Sequence, residues 1–344
     1  MLGGAVGDAL GAPVEFLKLR DIKRRYGETG ISGFVEFDGH TGRITDDTQM
    51  SLFTAAGLLR TNVRQHDRGI CHGPSIVKGA YLRWLRTQGG KVPKDTPDFI
   101  SNSGWLINEK ELWKKRAPGM TCISALQAGR WDDLIAHNDS KGCGTVMRIA
   151  PVGLFFEPEL AYTMGCEISA ITHGHPTGIT AGGAMAMIVS MLRRGKSIER
   201  AVDEVIEFLE SAKNKSSDRS WDATETIAIL KHAQCAETIS ELGEGWLAEE
   251  ALAIAIFCAL KHPDDFRSGV IEAVNIDGDS DSTGAIAGSL LGAVNGMTGI
   301  PKEWIENLRE RQIIKSIAWD SFIRIETDED GYTTQQWWDK YPGY

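Results

Sequence analysis

Residues 277–296 read Asp277-Gly278-Asp279-Ser280-Asp281-Ser282-Thr283-Gly284-Ala285-Ile286-Ala287-Gly288-Ser289-Leu290-Leu291-Gly292-Ala293-Val294-Asn295-Gly296. An acidic, hydroxyl-rich lead gives way to an apolar run in which Gly284, Gly288, Gly292 and Gly296 recur every fourth residue. That spacing puts the glycines on one face of a helix. Each costs the helix about 1 kcal/mol relative to alanine, so the pattern predicts a helix over 283–295 whose bare face packs closely on a neighbour. The apolar run to Ile300 approaches membrane-spanning length, but its glycines and Asn295 mark a buried core helix.

Helical periodicity recurs along the rest of the chain. It predicts helices from the N-terminus to about Leu10 and over 48–60, 75–86, 159–171, 178–194, 198–213, 223–234 and 248–260. Strand alternation is confined to Ile31–Phe37. The fold class is therefore all-α. Gly-Gly and Pro-containing steps with Trp105 and Trp113 between residues 87 and 120 predict a long excursion between helices. Residues 213–220 read as a polar linker. Trp337, Trp338 and Tyr341 are poor solvent-facing residues, so the segment 327–344 is expected to dock on the body of a single 1–344 domain.

The sequence has 344 residues, 42% of them hydrophobic and 24% charged, enough for a large core. Its net charge of −10 argues against nucleic acid and anionic membranes as partners. Six cysteines without a CxxC pair suit reduced thiols in a cytoplasmic compartment. The N-terminal stretch lacks the features of an export signal.

Two acidic clusters each precede a helix: Thr45-Asp46-Asp47-Thr48 and Asp277-Gly278-Asp279-Ser280-Asp281-Ser282. N-capping explains one oxygen acceptor in each. It does not explain five carboxylates, which repel one another unless positive charge lies between them. An all-oxygen donor set selects hard cations such as Mg²⁺ or Mn²⁺ over Zn²⁺. The Asp279-x-Asp281 spacing lacks the remaining ligands of an EF-hand. Ser140-Lys141-Gly142-Cys143-Gly144-Thr145 is a glycine-containing turn, a backbone that can approach an anion closely. His173 and His175, two apart and followed by Pro176, are unsuited to binding one metal from a single helix face.

Gly4–Glu15, Thr45–Thr48 and Gly278–Ser282 resemble, in order, the three signature segments of the ADP-ribosylglycohydrolase family, and most closely its bacterial dinitrogenase-reductase-activating type. Arg116–Gly119, Ser140–Arg148 and Thr172–Pro176 are similar to further family segments. The resemblance spans residues 3 to about 296. It implies a single, orthogonally packed multi-helix domain with two divalent cations, Mg²⁺ or Mn²⁺, in a cleft. Thr45, Asp46 and Asp47 would hold one cation, Asp279 and Ser282 the other, and Asp281 would bridge them. Serine at 282 replaces the usual threonine and keeps the hydroxyl; Asp277 replaces a usual glycine.

The resemblance also gives Glu15, Asp46 and Asp47 as candidates for moving protons. It makes Ser140, Lys141, Gly142 and Gly144 the pyrophosphate cradle, with His173 or His175 against the adenosine ribose or diphosphate. The implied activity is metal-dependent hydrolysis of ADP-ribose from modified protein side chains, ADP-ribosyl-arginine first among them. The implied partners are an ADP-ribosylated protein and an ADP-ribosyltransferase. Two other readings stand beside it. One is a binding, immunity or crystallin-like protein in which catalysis is dispensable; the other is a metal-dependent hydrolase of another phosphorylated nucleoside.

Overall fold

A computed structural model describes residues 1–37, 39–213 and 221–344. In chain order the helices are α1 (Leu2–Gly11), α2 (Leu19–Tyr26), α3 (Asp46–Arg68), α4 (Gly73–Thr87), α5 (Asp98–Ser101), α6 (Met120–Gln127), α7 (Ala150–Phe155), α8 (Pro158–Ala170) and α9 (Pro176–Leu192). They continue with α10 (Ile198–Lys213), α11 (Thr224–Cys235), α12 (Ala248–Lys261), α13 (Phe266–Val274), α14 (Ser280–Gly299), α15 (Lys302–Asn307), α16 (Arg311–Ile323) and α17 (Gln335–Lys340). The fold is all-α. Its sheet among the described residues is one small antiparallel pair, β1 (Glu36–Phe37) with β2 (His40–Thr41), with Glu36 opposite Thr41. The strand expected from Ile31 does not extend that far back. The Asn275 side chain accepts from the Ile31 amide at 2.8 Å and donates to its carbonyl at 2.9 Å, so neither group is free for a ladder.

The glycine face of α14 lies against α1, which carries small residues of its own. A Cβ on Gly288 would sit 2.2 Å from the Gly3 carbonyl oxygen, and one on Gly7 1.9 Å from that of Gly284. The two backbones are in direct contact, and only glycine fits there. Gly11 is likewise pressed onto Ser280, where a Cβ would be 2.2 Å from the carbonyl oxygen. Regular helical dihedrals stop at Gly296, whose φ is +65°, one residue after the expected end. Helix α9 is buried on every side from Thr177 to Leu192, as its nearly uniform apolar composition requires. It packs against α8, α7 and α12.

Helix α3 begins at Asp46, two residues before the expected Thr48, because Thr45 caps it. It runs on to Arg68 because the first backbone breaker is Gly69, at φ +71°. Between α4 and α6 the chain makes α5 and two short 3₁₀ turns that bury Leu106, Ile107 and Leu112. Near the C-terminus, Trp337 and Tyr341 are buried and the Tyr341 hydroxyl donates to Asp320. The expected linker at 213–220 lies, beyond Lys213, outside the described residues. No described helix is long and apolar enough to cross a membrane.

Candidate active site

The close approach of α1 to α14 carries Asp8 and Glu15 to the acidic lead of α14. Asp8 is fully buried and organises the start of α3. The Thr45 amide donates to its Oδ1 at 2.9 Å, and the Thr48 amide to its Oδ2 at 3.1 Å. Asp8 is a residue that sequence reasoning left without a role; its only signal was a carboxylate inside a run of small apolar residues. With α3 fixed in this way, Asp46 and Asp47 in its first turn face Asp279 and Asp281 in the lead of α14.

Capping is present at both helices. Thr45 Oγ1 accepts from the Asp47 amide at 3.3 Å, and Asp279 Oδ1 from the Ser282 amide at 3.4 Å. It leaves most of the acid unexplained. One oxygen each from Glu15, Asp279 and Asp281 lie within 4.8 Å of one another. The Thr45 side chain hydrogen-bonds Asp281, joining the two clusters. Asp46 Oδ2 accepts from the Gly119 amide at 3.1 Å, while the Asp46 amide donates to the Arg116 carbonyl at 3.1 Å. The excursion after α4 thus returns to brace the site. Ser282 is buried beside Cys143, whose thiol donates to Asp279 Oδ2 at 2.9 Å.

This concentration of acid shifts every carboxyl in it upward. Burial, then the charge of Asp281, raises Asp8 to about 7. Burial raises Glu15 to about 10, with Asp281, Asp279, Asp46 and Asp8 adding to it. Burial is also the leading cause of the rise at Asp46, Asp47, Asp279 and Asp281. Among the described residues no lysine or arginine is ion-paired with any of these six; the nearby Arg116 is spent on Glu310 at 3.3 Å. Such a group must take up protons or a cation. A hard divalent cation fits the residues present. The donors are carboxylates and hydroxyls, and Asp47 Oδ2 is buried with no hydrogen-bond partner.

The carboxylates form the floor of a cleft of about 310 Å³. Glu15, Asp46, Asp47, Asp279, Asp281 and Ser282 line it, with Gly142, Gly144 and His173. Thr45, Ser140, Lys141 and His175 stand outside this lining. Lys141 Nζ is held by Glu249 at 2.6 Å and Glu225 at 3.0 Å, away from the cleft. His175 Nδ1 accepts from the Thr177 amide at 3.1 Å and caps α9. Ser140 Oγ accepts from the Gly142 amide at 3.4 Å and shapes the turn. Gly144 is tightly enclosed, since a Cβ there would lie 3.0 Å from the His173 ring and 3.1 Å from Cys122 Sγ.

Sequence reasoning missed the aromatic edge of the cleft. Phe16, next to Glu15, is 68% exposed and holds a left-handed backbone at φ +67°, a conformation unfavourable for a bulky side chain. Its ring stacks on Trp246 at 5.3 Å between centroids and 20° between planes. Ala117, also lining the cleft, has φ +51°. No sequence signal marks either conformation. A larger depression between α8 and α10, of about 950 Å³, offers no comparable chemistry. Its Glu157 and Glu204 are already ion-paired with Arg194, Lys196 and Arg200.

Comparison with known proteins agrees with the geometry. The chain is 26% identical over 336 residues to an ADP-ribosyl-dinitrogen reductase glycohydrolase of Rhodospirillum rubrum, covering 92% of each chain. It is 25% identical over 332 residues to an ADP-ribosylarginine hydrolase of Pseudomonas putida, covering 96% of this chain and 78% of that one. A solved structure described as an ADP-ribosylglycohydrolase-related protein complex matches with a TM-score of 0.62 and 25% identity over 94% of this chain and 95% of the other. A sequence model of the family itself matches residues 1–331. The chain belongs to the ADP-ribosylglycohydrolase family.

Proposed function

We propose that this protein is a metal-dependent hydrolase that releases ADP-ribose from modified protein side chains, with ADP-ribosyl-arginine as its substrate. The observation that carries the reading is the meeting of five carboxyl groups, from three distant segments, on the floor of one cleft. Residues 1–344 act in it as one domain, a reading supported by one large buried apolar cluster whose described members run from Leu2 to Tyr341.

Thr45, Asp46 and Asp47 would hold one divalent cation, Asp279 and Ser282 a second, with Asp281 between them; Mg²⁺ and Mn²⁺ both suit these donors. Such cations supply Lewis-acid activation of water and orientation of the ribose hydroxyls. In the reaction the bond from the anomeric carbon of ribose to the arginine nitrogen breaks, and a bond to water oxygen forms. Charge develops at the anomeric carbon as the linkage opens. The attacking water gives up a proton and the departing guanidine gains one. Glu15, Asp46 and Asp47 line the cleft where both transfers occur and are the residues that carry these protons. The Gly142–Gly144 turn receives the diphosphate, with the Gly144 amide as donor, since that of Gly142 already donates to Ser140 Oγ.

A planar cationic leaving group is favoured by the Phe16–Trp246 stack beside Glu15. A guanidinium lies well on an aromatic face, and the neighbouring carboxylates match its charge. The reaction requires an ADP-ribosyltransferase upstream to install the modification. A cytoplasmic setting is supported by six free cysteines. The test is release of free ADP-ribose from an arginine-modified protein with chelator and with added Mg²⁺ or Mn²⁺. Release that depends on the cation is expected; no release under any condition removes the enzymatic reading.

A further inference from the structure

Arg148 is fully buried, and its guanidinium has no carboxylate at ion-pair distance among the described residues. It lies over the Tyr81 ring, 4.6 Å from the centroid, and donates to Cys122 Sγ at 3.2 Å and Thr172 Oγ1 at 2.6 Å. Thr172 Oγ1 in turn stands 2.8 Å from His173 Nδ1. The far edge of that imidazole lines the cleft, where a Cβ on Gly142 would lie 3.5 Å from Nε2. His173 Nε2 has no hydrogen-bond partner among the described residues.

The charge of Arg148 biases the order of donors in this chain. A guanidinium can only donate, so it occupies one lone pair of Thr172 Oγ1, whose proton is then shared between Nδ1 and Cys122, the other side chain that Thr172 hydrogen-bonds. The reverse arrangement, an Nδ1–H aimed at Thr172, turns the positive end of an N–H dipole toward a buried cation. The field of Arg148 therefore favours a bare Nδ1 and a proton on Nε2. Burial and the same guanidinium hold the ring's pKa down at about 3, so a second proton is not taken up at neutral pH.

We propose that Arg148 and Thr172 are positioning residues that fix His173 as a neutral Nε2–H donor, aimed into the cleft beside the Gly142–Gly144 turn to bind a phosphate oxygen. The identity of the ligand rests on the functional reading above; the tautomer does not. The relay engages both terminal nitrogens of a fully buried arginine that has no counter-ion, a costly arrangement in which Nε is left without a partner.

The experiment is ¹⁵N NMR of the histidine-labelled full chain, with the His173 ring assigned by its loss in His173→Gln, alongside calorimetry with ADP-ribose. In the wild type the Nε2 signal is protonated and the Nδ1 signal bare. Thr172→Val, which removes the hydroxyl, redistributes the tautomers and weakens ADP-ribose binding about tenfold, the scale of one hydrogen bond to a charged group. Thr172→Ser restores both. A proton on Nδ1 in the wild type overturns the proposal, and that spectrum decides the tautomer even if Thr172→Val fails to fold. A folded Thr172→Val protein in which either readout stays at the wild-type value also overturns it. Wild-type protein that shows the Nε2–H tautomer but binds no ADP-ribose refutes both the diphosphate role and the functional reading; a bare Nε2 with normal ADP-ribose binding refutes the relay alone.

Discussion

Asp281 and Ser282 are adjacent, both buried, and both at the meeting point of the two acidic segments, yet their substitutions should differ sharply. Asp281→Asn removes a charge from the carboxylate that hydrogen-bonds both Thr45 and Asp279. Ser282→Thr keeps the hydroxyl and adds one methyl. Activity in Asp281→Asn is expected to fall by at least about a hundredfold, the scale of losing one electrostatic contact made in the transition state; Ser282→Thr should remain within a few-fold of wild type. Steady-state rates on folded, metal-supplemented proteins check the order. Trp246→Ala should raise KM for arginine-linked substrate while leaving ADP-ribose affinity unchanged, because the stack with Phe16 contacts the leaving group in the proposed reading. Equal losses in both measurements would move the stack to the nucleotide side.

At the scale of elements, the glycine pairs decide whether the site forms. Gly288→Val places its Cβ only 2.2 Å from the Gly3 carbonyl oxygen, so α1 and α14 must separate. Overpacking of this kind costs roughly 1–3 kcal/mol, and separation also moves Glu15 away from Asp279. A lower melting temperature together with weakened cation binding is expected. Gly33→Ala, with open space around its Cβ position and an ordinary φ, should change stability by less than about 0.5 kcal/mol. Much of this level was legible in the sequence. The four-residue glycine repeat announced close packing, but it could not name α1 as the partner, since helix pairing is a long-range property. The acidic leads marked Asp46, Asp47, Asp279 and Asp281 by their excess over capping needs. Asp8 and Trp246 were invisible because one acts through backbone amides of a different segment and the other through a stack completed at Phe16. The family resemblance put Lys141 in the phosphate cradle, and only the fold shows that Glu225 and Glu249 neutralise it.

For the whole molecule, the buried acid makes stability depend on pH and cations together. Folded Asp8 and Glu15 retain protons up to about 7 and about 10, whereas unfolded carboxyls release theirs near 4. Between those values the native state binds more protons than the unfolded one, so the metal-free protein loses stability as pH rises from about 4 through 7 and beyond. Bound cations replace the protons and should flatten or reverse the slope. Thermal melts between pH 5 and 8, with chelator and with excess Mg²⁺, test this; identical slopes in the two series would mean the carboxylates do not share a cation. The most direct measurement is anomalous diffraction from crystals grown with Mn²⁺. Two peaks roughly 3.5–4 Å apart, the usual spacing of two-metal hydrolytic sites, are expected, one touching Asp46 and Asp47, the other Asp279, with Asp281 reaching both. Manganese bound only elsewhere on the protein, with the cleft floor empty at saturating concentration, would contradict the account.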